Sequence, residues 1–489
     1  MQQEQIDHVL QQANAAFLTY KNIPAVQRAS FLEAIAAGLD AAKPALVPVA
    51  MEESHLPEAR LNGEVGRTSG QLRLFAALIR EGSWVEAAID TALPDRVPAR
   101  PDIRKLLIPM GPVVVFGASN FPFAFSTAGG DTASALAAGC PVVIKGHPAH
   151  PQTSRRVFAI MEHAAVATGM PAHVVQHVEG GNAAGEALVK HPLTAAVGFT
   201  GSLQGGKALL QYASERKRNI PVFAEMSSVN PVVLLPDALQ ENAEQLAQTY
   251  AGSITLGMGQ FCTNPGILLG IESEGLQRFS RTLGEAIAQV APQPMLHEGI
   301  CAAYAKGLQE KLLQPGINLL HAPADRKGKL DAQPAVVSVQ ADTFLQQPSL
   351  HEELFGPFSM LVVCKDKAQL LETLRALEGQ LTTTVMATRK DLDAHADVLA
   401  LQTSLAGRLV LNSVPTGVEV CAAMVHGGPF PATSDSRFTS VGSTAIRRWV
   451  RPFCFQGLPD ELLPPALQNA NPENILRLVD NVYTRDAIV

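Results

Sequence analysis

The segment Gly259-Gln260-Phe261-Cys262-Thr263 sets one cysteine in a tight Gly/Gln turn, and Ala224-Glu225-Met226-Ser227-Ser228 carries a carboxylate earlier in the chain. Cysteine is the most nucleophilic side chain near neutral pH, and a carboxylate beside it can activate the water that later opens a thioester. The pair therefore predicts covalent catalysis, with Cys262 as nucleophile and Glu225 as general base. Cys140, Cys301, Cys364, Cys421 and Cys454 lie scattered, with no C-x-x-C pair and no His/Cys zinc spacing. They read as small buried hydrophobes, so reduced thiols and no metal are expected.

Chemistry of this kind needs a rigid frame, and the chain has the means to build one. At 489 residues, 47% hydrophobic and 17% charged, it can bury a large core divided among two or three domains. A formal charge of −7, from 38 Lys and Arg against 45 Asp and Glu, gives no basic footprint for nucleic acid. Apolar runs such as Pro112 to Phe116 fall far short of the roughly 20 residues that span a bilayer, and the polar start Met1-Gln2-Gln3-Glu4-Gln5 suits a cytoplasmic protein. Helical spacing of Ile6, Leu10, Ala13 and Phe17, then Phe31, Ile35 and Leu39, predicts two opening helices broken at Pro24, with a third around Gln71 to Ile79.

The Pro-rich stretch from Asp90 to Lys105 reads as an extended excursion. Beyond it, buried strands alternate with helices: strand Val113 to Phe116, helix Phe123 to Ala138, strand Val142 to Lys145, helix Thr153 to Ala167, strand Val174 to His177, helix Ala183 to Lys190, strand Ala195 to Phe199 and a helix from Gly205. This alternation predicts an α/β protein with a doubly wound parallel sheet. A second α/β half begins near Pro231, and the tail from Arg447 to Val489 reads as less regular. Ligands of such sheets bind at the carboxyl ends of strands, where Asn120, Lys145 and Thr200-Gly201-Ser202 fall. The last trio precedes a helix, where it would serve equally as a phosphate cradle or an ordinary N-cap. No G-x-G-x-x-G loop is present, since Gly180-Gly181-Asn182 has Asn where the second glycine belongs.

Taken in order, Asn120-Phe121-Pro122, Lys145, Phe199-Thr200-Gly201-Ser202, Glu225, Gly259 to Cys262 and Glu353-Leu354-Phe355-Gly356-Pro357 resemble the signature pieces of the aldehyde dehydrogenase superfamily. The resemblance implies two doubly wound domains plus a small oligomerisation arm. Residues 1–88 and 108–230 would form the dinucleotide-binding domain, 231–445 the catalytic domain, and 89–107 with 446–489 the bridging segments. It implies that Cys262 attacks an aldehyde, that the Asn120 amide and the Cys262 N–H hold the oxyanion, and that Glu225 drives thioester hydrolysis. It also assigns the cofactor to Lys145 at the adenosine ribose or its 2′-phosphate, Ser202 with Thr200 and Gly201 at the pyrophosphate, Glu353 at the nicotinamide ribose and Phe355 beside the nicotinamide. Pro148 stands where many NAD-preferring relatives carry a glutamate, so NADP is favoured, with NAD as the alternative.

The chain departs from the common pattern at Ser119, at Met226-Ser227-Ser228 and around Phe261 and Asn264-Pro265. Gly417-Val418-Glu419-Val420, Met424 to Pro429, Ala432 to Arg437 and Leu61 to Phe75 resemble the 2,5-dioxovalerate (α-ketoglutarate semialdehyde) dehydrogenase branch. The expected reaction is oxidation of 2,5-dioxopentanoate to 2-oxoglutarate, with a broad or long-chain aldehyde as the rival substrate and Phe261 and Phe123 as walls of an apolar channel. A substrate carboxylate would call for an arginine, and Arg67, Arg73 and Arg437 are the candidates. His426 is a candidate acceptor for the Cys262 proton or a structural histidine. A homodimer or homotetramer is the family expectation.

Overall fold

Apolar residues at helical spacing fold the start of the chain into α1 (Gln3–Tyr20), α2 (Ala25–Ser54) and α3 (Glu58–Glu81), with Pro24 at the N-cap of the second. The computed structural model describes residues 3–321 and 328–488, so Met1, Gln2 and Val489 of the segments read above lie outside the described residues. The Pro-rich excursion is a hairpin of β1 (Ala88–Asp90) and β2 (Ile103–Pro109), paired antiparallel.

The first large sheet joins β3 (Val113–Phe116), β4 (Val142–Lys145), β5 (Val175–Val178), β6 (Ala196–Thr200) and β7 (Val222–Glu225) in the order β5-β4-β3-β6-β7. All its pairings are parallel. Helices α4 (Gly130–Ala138), α5 (Pro151–Ala167), α6 (Asn182–Lys190) and α7 (Leu203–Ser214) connect the strands. β3 and β7 are buried at every residue, as strands covered on both faces must be.

α2 is long and apolar enough to cross a membrane by length and composition alone, which the search for continuous apolar runs overlooked. It instead lies against α3 and α5 and buries Phe31, Leu32, Ile35 and Leu39 in the core, as a core helix does.

The second sheet draws on β8 (Val232–Leu234), α8 (Pro236–Thr255), β9 (Ile267–Ile271) and α9 (Glu274–Ala288). A small pair, β10 (Gln293–Pro294) and β12 (Asp331–Ala332), flanks β11 (Asn318–His321) in sequence. The remaining strands are β13 (Ala335–Gln340), β14 (Phe358–Cys364), β15 (Gln380–Met386) and β16 (Ala406–Leu411). Its order is β11-β13-β14-β9-β8-β15-β16, parallel except for edge strand β11. A third sheet, β17-β2-β1-β18-β19, joins the hairpin to β17 (Val450–Gln456), β18 (Arg477–Val479) and β19 (Val482–Thr484) of the tail.

Three expectations are corrected. The helix read from Phe123 begins at Gly130, because residues 121–129 form turns in which Gly129 packs too close to Ala124 O, 2.4 Å from an added Cβ, for any side chain. β7, which ends in Glu225, was overlooked because only a short Val-Phe-Ala run marks it. The tail, read as less regular, is largely turns but contributes three short strands that the reading did not name, two of which pair with β2 and β1 far back in the sequence.

Candidate active site

Glu225 closes β7 and is buried, 3% exposed. Cys262 lies on a turn between α8 and β9, reached through Gly257, Met258 and Gly259, all at positive φ. Gly259 is obligatory there, because a Cβ would fall 2.2 Å from Gly356 O. Behind the nucleophile, the Asn230 amide donates to the Cys262 carbonyl at 2.9 Å and to that of Asn264 at 2.9 Å.

His426 joins the two. Its Nε2 lies 2.9 Å from Glu225 Oε1 and 3.4 Å from Cys262 Sγ, while Ser440 Oγ donates to Glu225 Oε2 at 2.6 Å. Cys262 Sγ, His426 Nε2 and a Glu225 oxygen all fall within 4.8 Å of one another, so among the described residues this trio is also the set that could hold a metal ion. Burial opposes charge on all three groups. Attraction from His426 nevertheless outweighs it at Glu225 and holds the carboxyl below its usual range, while Glu225 and Cys262 together push His426 up. Burial, with Glu225 adding to it, raises the Cys262 thiol against the pull of His426. Glu225 and His426 thus favour each other's charged forms, the Cys262 thiol is pushed up, and His426 Nδ1 is buried without a hydrogen-bond partner.

Asn120 follows β3, and its Nδ2 donates to the Gln260 carbonyl at 3.2 Å, which brings it against the Cys262 turn. An amide nitrogen carries two hydrogens, so this bond fixes the group and leaves the second N–H to donate. The Cys262 backbone N–H makes no hydrogen bond among the described residues.

Among the residues expected to meet a cofactor, Lys145 ends β4, half-buried, with no carboxylate in ion-pair range among the described residues; burial pulls its ammonium below the ordinary value. The neighbouring His147, His150 and His177 are all held neutral by burial, His147 down to about 3. Ser202 caps α7 by accepting from Gly205 N at 3.1 Å, with Thr200 and Gly201 just before it. Gly201 and Gly205 lie over the Phe199 ring, where an added Cβ would come within 2.6 and 2.9 Å, so backbone alone covers it. Glu353 and Phe355 line a cavity with Ser228, Gly259 and Asn264. Burial pushes Glu353 up to about 7 against a 2.7 Å hydrogen bond from Ser227 Oγ.

Of the arginines singled out, Arg73 is exposed and paired with Asp40, and Arg437 is exposed and paired with Asp435, so neither cation is free to serve the site. Arg67 is half-buried, its field reaches Cys262, and Nη1 donates to the Val418 carbonyl. Its Nη2 has no partner among the described residues. The guanidinium lies 5.9 Å from the Phe125 ring centre, and that ring packs edge-on to His426. The sequence reading missed Arg60, which bonds the Asn120 carbonyl, and Arg408, which bonds the Gly417 and Pro415 carbonyls; both are felt at Cys262. The spacing of Arg60 and Glu64 one turn apart on a helix was a signal for the first. Phe123 is core, 1% exposed, and the aromatic wall is Phe121, Phe125 and Phe261 instead. Cys140, Cys301 and Cys364 are buried as read, but Cys421 is partly exposed and Cys454 exposed.

Residues 1–429 match the Aldehyde dehydrogenase family. Over 480 residues the chain is 49% identical to alpha-ketoglutaric semialdehyde dehydrogenase 2 of Azospirillum brasilense, covering 98% of this chain and 91% of that protein. It is 46% identical over 485 residues to alpha-ketoglutaric semialdehyde dehydrogenase of Acinetobacter baylyi, covering 99% and 92%. Among solved structures, glyceraldehyde-3-phosphate dehydrogenase GapN from Methanocaldococcus jannaschii, complexed with NADP, aligns with a TM-score of 0.78 at 19% identity, over 93% of this chain and 94% of that one. Proline utilization A from Bradyrhizobium japonicum aligns equally well, at 0.78 and 21% identity, over 93% of this chain and 45% of that one, so the chain spans about half the length of that protein. These structural likenesses establish the fold.

Proposed function

Because this chain belongs to the aldehyde dehydrogenase family, we propose that it oxidises α-ketoglutaric semialdehyde (2,5-dioxopentanoate) to 2-oxoglutarate through a Cys262 thioester, with NADP preferred over NAD. The observation that carries the chemistry is the buried contact of Cys262, His426 and Glu225 with the Asn120 amide alongside. The substrate rests on the two relatives of that name and on Arg67, whose free Nη2 beside the aromatic wall suits a carboxylate a few carbons from the aldehyde.

Cys262 Sγ attacks the aldehyde carbon, and the new C–S bond leaves negative charge on the former carbonyl oxygen. The second Asn120 N–H and the Cys262 N–H receive that charge, and such donors are worth about 3–4 kcal/mol each at a developing oxyanion. The thiol proton goes to Glu225, an oxygen of which lies within 4.8 Å of Cys262 Sγ. His426 Nε2, in contact with both, favours the ionised form of each and is the alternative acceptor of the thiol proton.

A nicotinamide dinucleotide fits the residues present. Lys145 offers an uncompensated cation, the Thr200-Gly201-Ser202 turn opens a helix N-terminus, and Glu353 is a buried carboxyl able to bond ribose hydroxyls. Held by these residues, a nicotinamide would supply the hydride acceptor for oxidation of the Cys262 adduct to a thioester. Once Glu225 has passed the thiol proton on to solvent it takes one from water, for which the cavity lined by Glu225, His426, Thr433 and Ser440 has room. The hydroxide attacks the thioester carbon, the C–S bond breaks, and the departing Cys262 thiolate regains its proton as the acid leaves.

Initial rates at 340 nm, crossing NADP and NAD with 2,5-dioxopentanoate, succinic semialdehyde and a long-chain aldehyde, test this reading. A kcat/KM preference of about 100-fold for 2,5-dioxopentanoate, about 2.7 kcal/mol of transition-state discrimination, is expected. Preference for the long-chain aldehyde would instead assign the aromatic wall the governing role.

A further inference from the structure

The two oxyanion donors of the proposed mechanism come from different parts of the chain, Asn120 after β3 and the Cys262 N–H ahead of β9. Their relative placement must hold to a fraction of an ångström for both to reach one oxygen. We infer that Arg60 and Glu64, one turn apart on α3, are positioning residues that clamp the Asn120 loop against the Cys262 turn.

Arg60 touches both sides. Its Nη2 donates to the Asn120 carbonyl at 2.7 Å, and its guanidinium lies 5.0 Å from the ring centre of Phe121 and 4.5 Å from that of Phe261, the neighbours of Asn120 and Cys262 respectively. Gly257 leaves space for it, since a Cβ there would come within 2.8 Å of Arg60 Nη1. Glu64 fastens the far end of the same loop: its Oε1 accepts from Phe123 N at 2.7 Å and Ala124 N at 3.0 Å, and the residue is 5% exposed. Asn120 itself completes the link through its bond to Gln260 O.

Burying these groups is costly. Arg60 Nε and Nη1 and Glu64 Oε2 are shut away from water with no hydrogen-bond partner. An apolar pair would pack the same helix without that penalty, so the retained charges point to a task beyond packing. The guanidinium supplies in one rigid plane both a donor for Asn120 and a face for two rings, which an ammonium cannot. The donors of Arg60 are enclosed between those rings, whereas Arg67 keeps an open nitrogen, so α3 divides its arginines between holding the loop and meeting the substrate.

The test is a double-mutant cycle of Arg60→Met and Asn120→Ala on the full chain, assayed with butanal and with 2,5-dioxopentanoate. Arg60→Met is expected to lower kcat about 10–100-fold for both aldehydes, with KM changing less than about threefold and iodoacetamide alkylation of Cys262 slowed by far less than kcat. In the Asn120→Ala background the same change is expected to cost less than about twofold, because a residue that acts through Asn120 has nothing left to position. Arg60→Lys, which keeps charge but not the plane, should fall between, and Glu64→Gln runs through the same cycle if Arg60→Met does not fold. A full loss persisting without Asn120 would overturn the inference, as would a loss confined to KM for the anionic aldehyde. The inference rests on Asn120 serving the oxyanion; Asn120→Ala at wild-type kcat would sink that reading and this one together.

Discussion

The Cys262 end and the Lys145 end of the cleft handle charge in opposite ways. At Cys262, a thiol, an imidazole and a carboxyl group lie within 4.8 Å, the last two stabilise each other's charge, and Ser440 bonds the remaining carboxyl oxygen. At Lys145, a half-buried ammonium has no acid in reach among the described residues, and burial keeps the histidines beside it neutral. A self-balanced group moves protons without needing a ligand's charge. An unbalanced cation waits for an anion from outside, so the first end suits bond-making and the second suits binding.

The most severe way to break the comparison is to unbalance the first end. Glu225→Gln keeps the shape but removes the base for thioester hydrolysis. Steady-state turnover should fall by about 10²–10⁴; the acyl-enzyme forms more slowly, with solvent taking the thiol proton, but still outpaces hydrolysis, giving a slowed burst of reduced cofactor close to one per active site. Stopped-flow absorbance at 340 nm checks it. A proportional loss of burst and steady state would mean that Glu225 acts mainly in the first step, as the acceptor of the thiol proton.

Exchanging the burdens of Lys145 and Arg67 sharpens the contrast. Lys145→Met should raise KM for NADP by about 10–100-fold and leave NAD nearly untouched, since a charge-assisted phosphate contact is worth about 1.5–3 kcal/mol. Arg67→Met should instead lower kcat/KM for 2,5-dioxopentanoate by a similar factor and spare butanal. Crossed kinetics on the two variants settle the division. If Lys145→Met weakens both cofactors equally, the cation holds the ribose common to both, and the preference for NADP fails.

Much of this was legible in the sequence, and unevenly so. Cys262, Glu225, Asn120 and Lys145 each sit at a strand end or in a Gly-marked turn, where local residues declare the backbone geometry. The parallel strands were readable because burial on both faces makes them continuous apolar runs, as in β3 and β4. What escaped depends on partners distant in sequence. β17 is mostly exposed and is held in place by β2, so no local periodicity marks it. Arg73 and Arg437 could not be told from Arg67 by residue type. The fold shows that Asp40, 33 residues away, claims Arg73, while Asp435, two residues before Arg437, claims the other and was there to be read locally. The electrostatic state of His426 likewise follows from Glu225, which the chain brings to it from the opposite side of the second sheet's entire sequence.

The smallest effect lies between the two ends, at Glu353. Burial places this carboxyl at about 7, so it is mostly protonated at pH 6 and mostly ionised at pH 8. Only the ionised form accepts from two ribose hydroxyls, so the Kd for NAD should fall about three- to ninefold across that range. NAD is the proper probe, because a 2′-phosphate with a pKa near 6 would add its own titration. Binding measured by calorimetry without aldehyde keeps the Cys262 trio out of the reading, and Glu353→Gln should flatten the profile. Stability supplies an independent check of sign. A carboxyl raised in the folded state binds more protons there than in the unfolded chain, so ionising it costs stability as pH rises from about 4.5 through about 7. Ribose hydroxyls bonded to the anion offset that cost, so the rise in Tm on adding saturating NAD should be larger at pH 8 than at pH 6. An equal rise at both would mean that Glu353 meets the cofactor in one protonation state throughout, and that its burial serves the fold rather than the ligand.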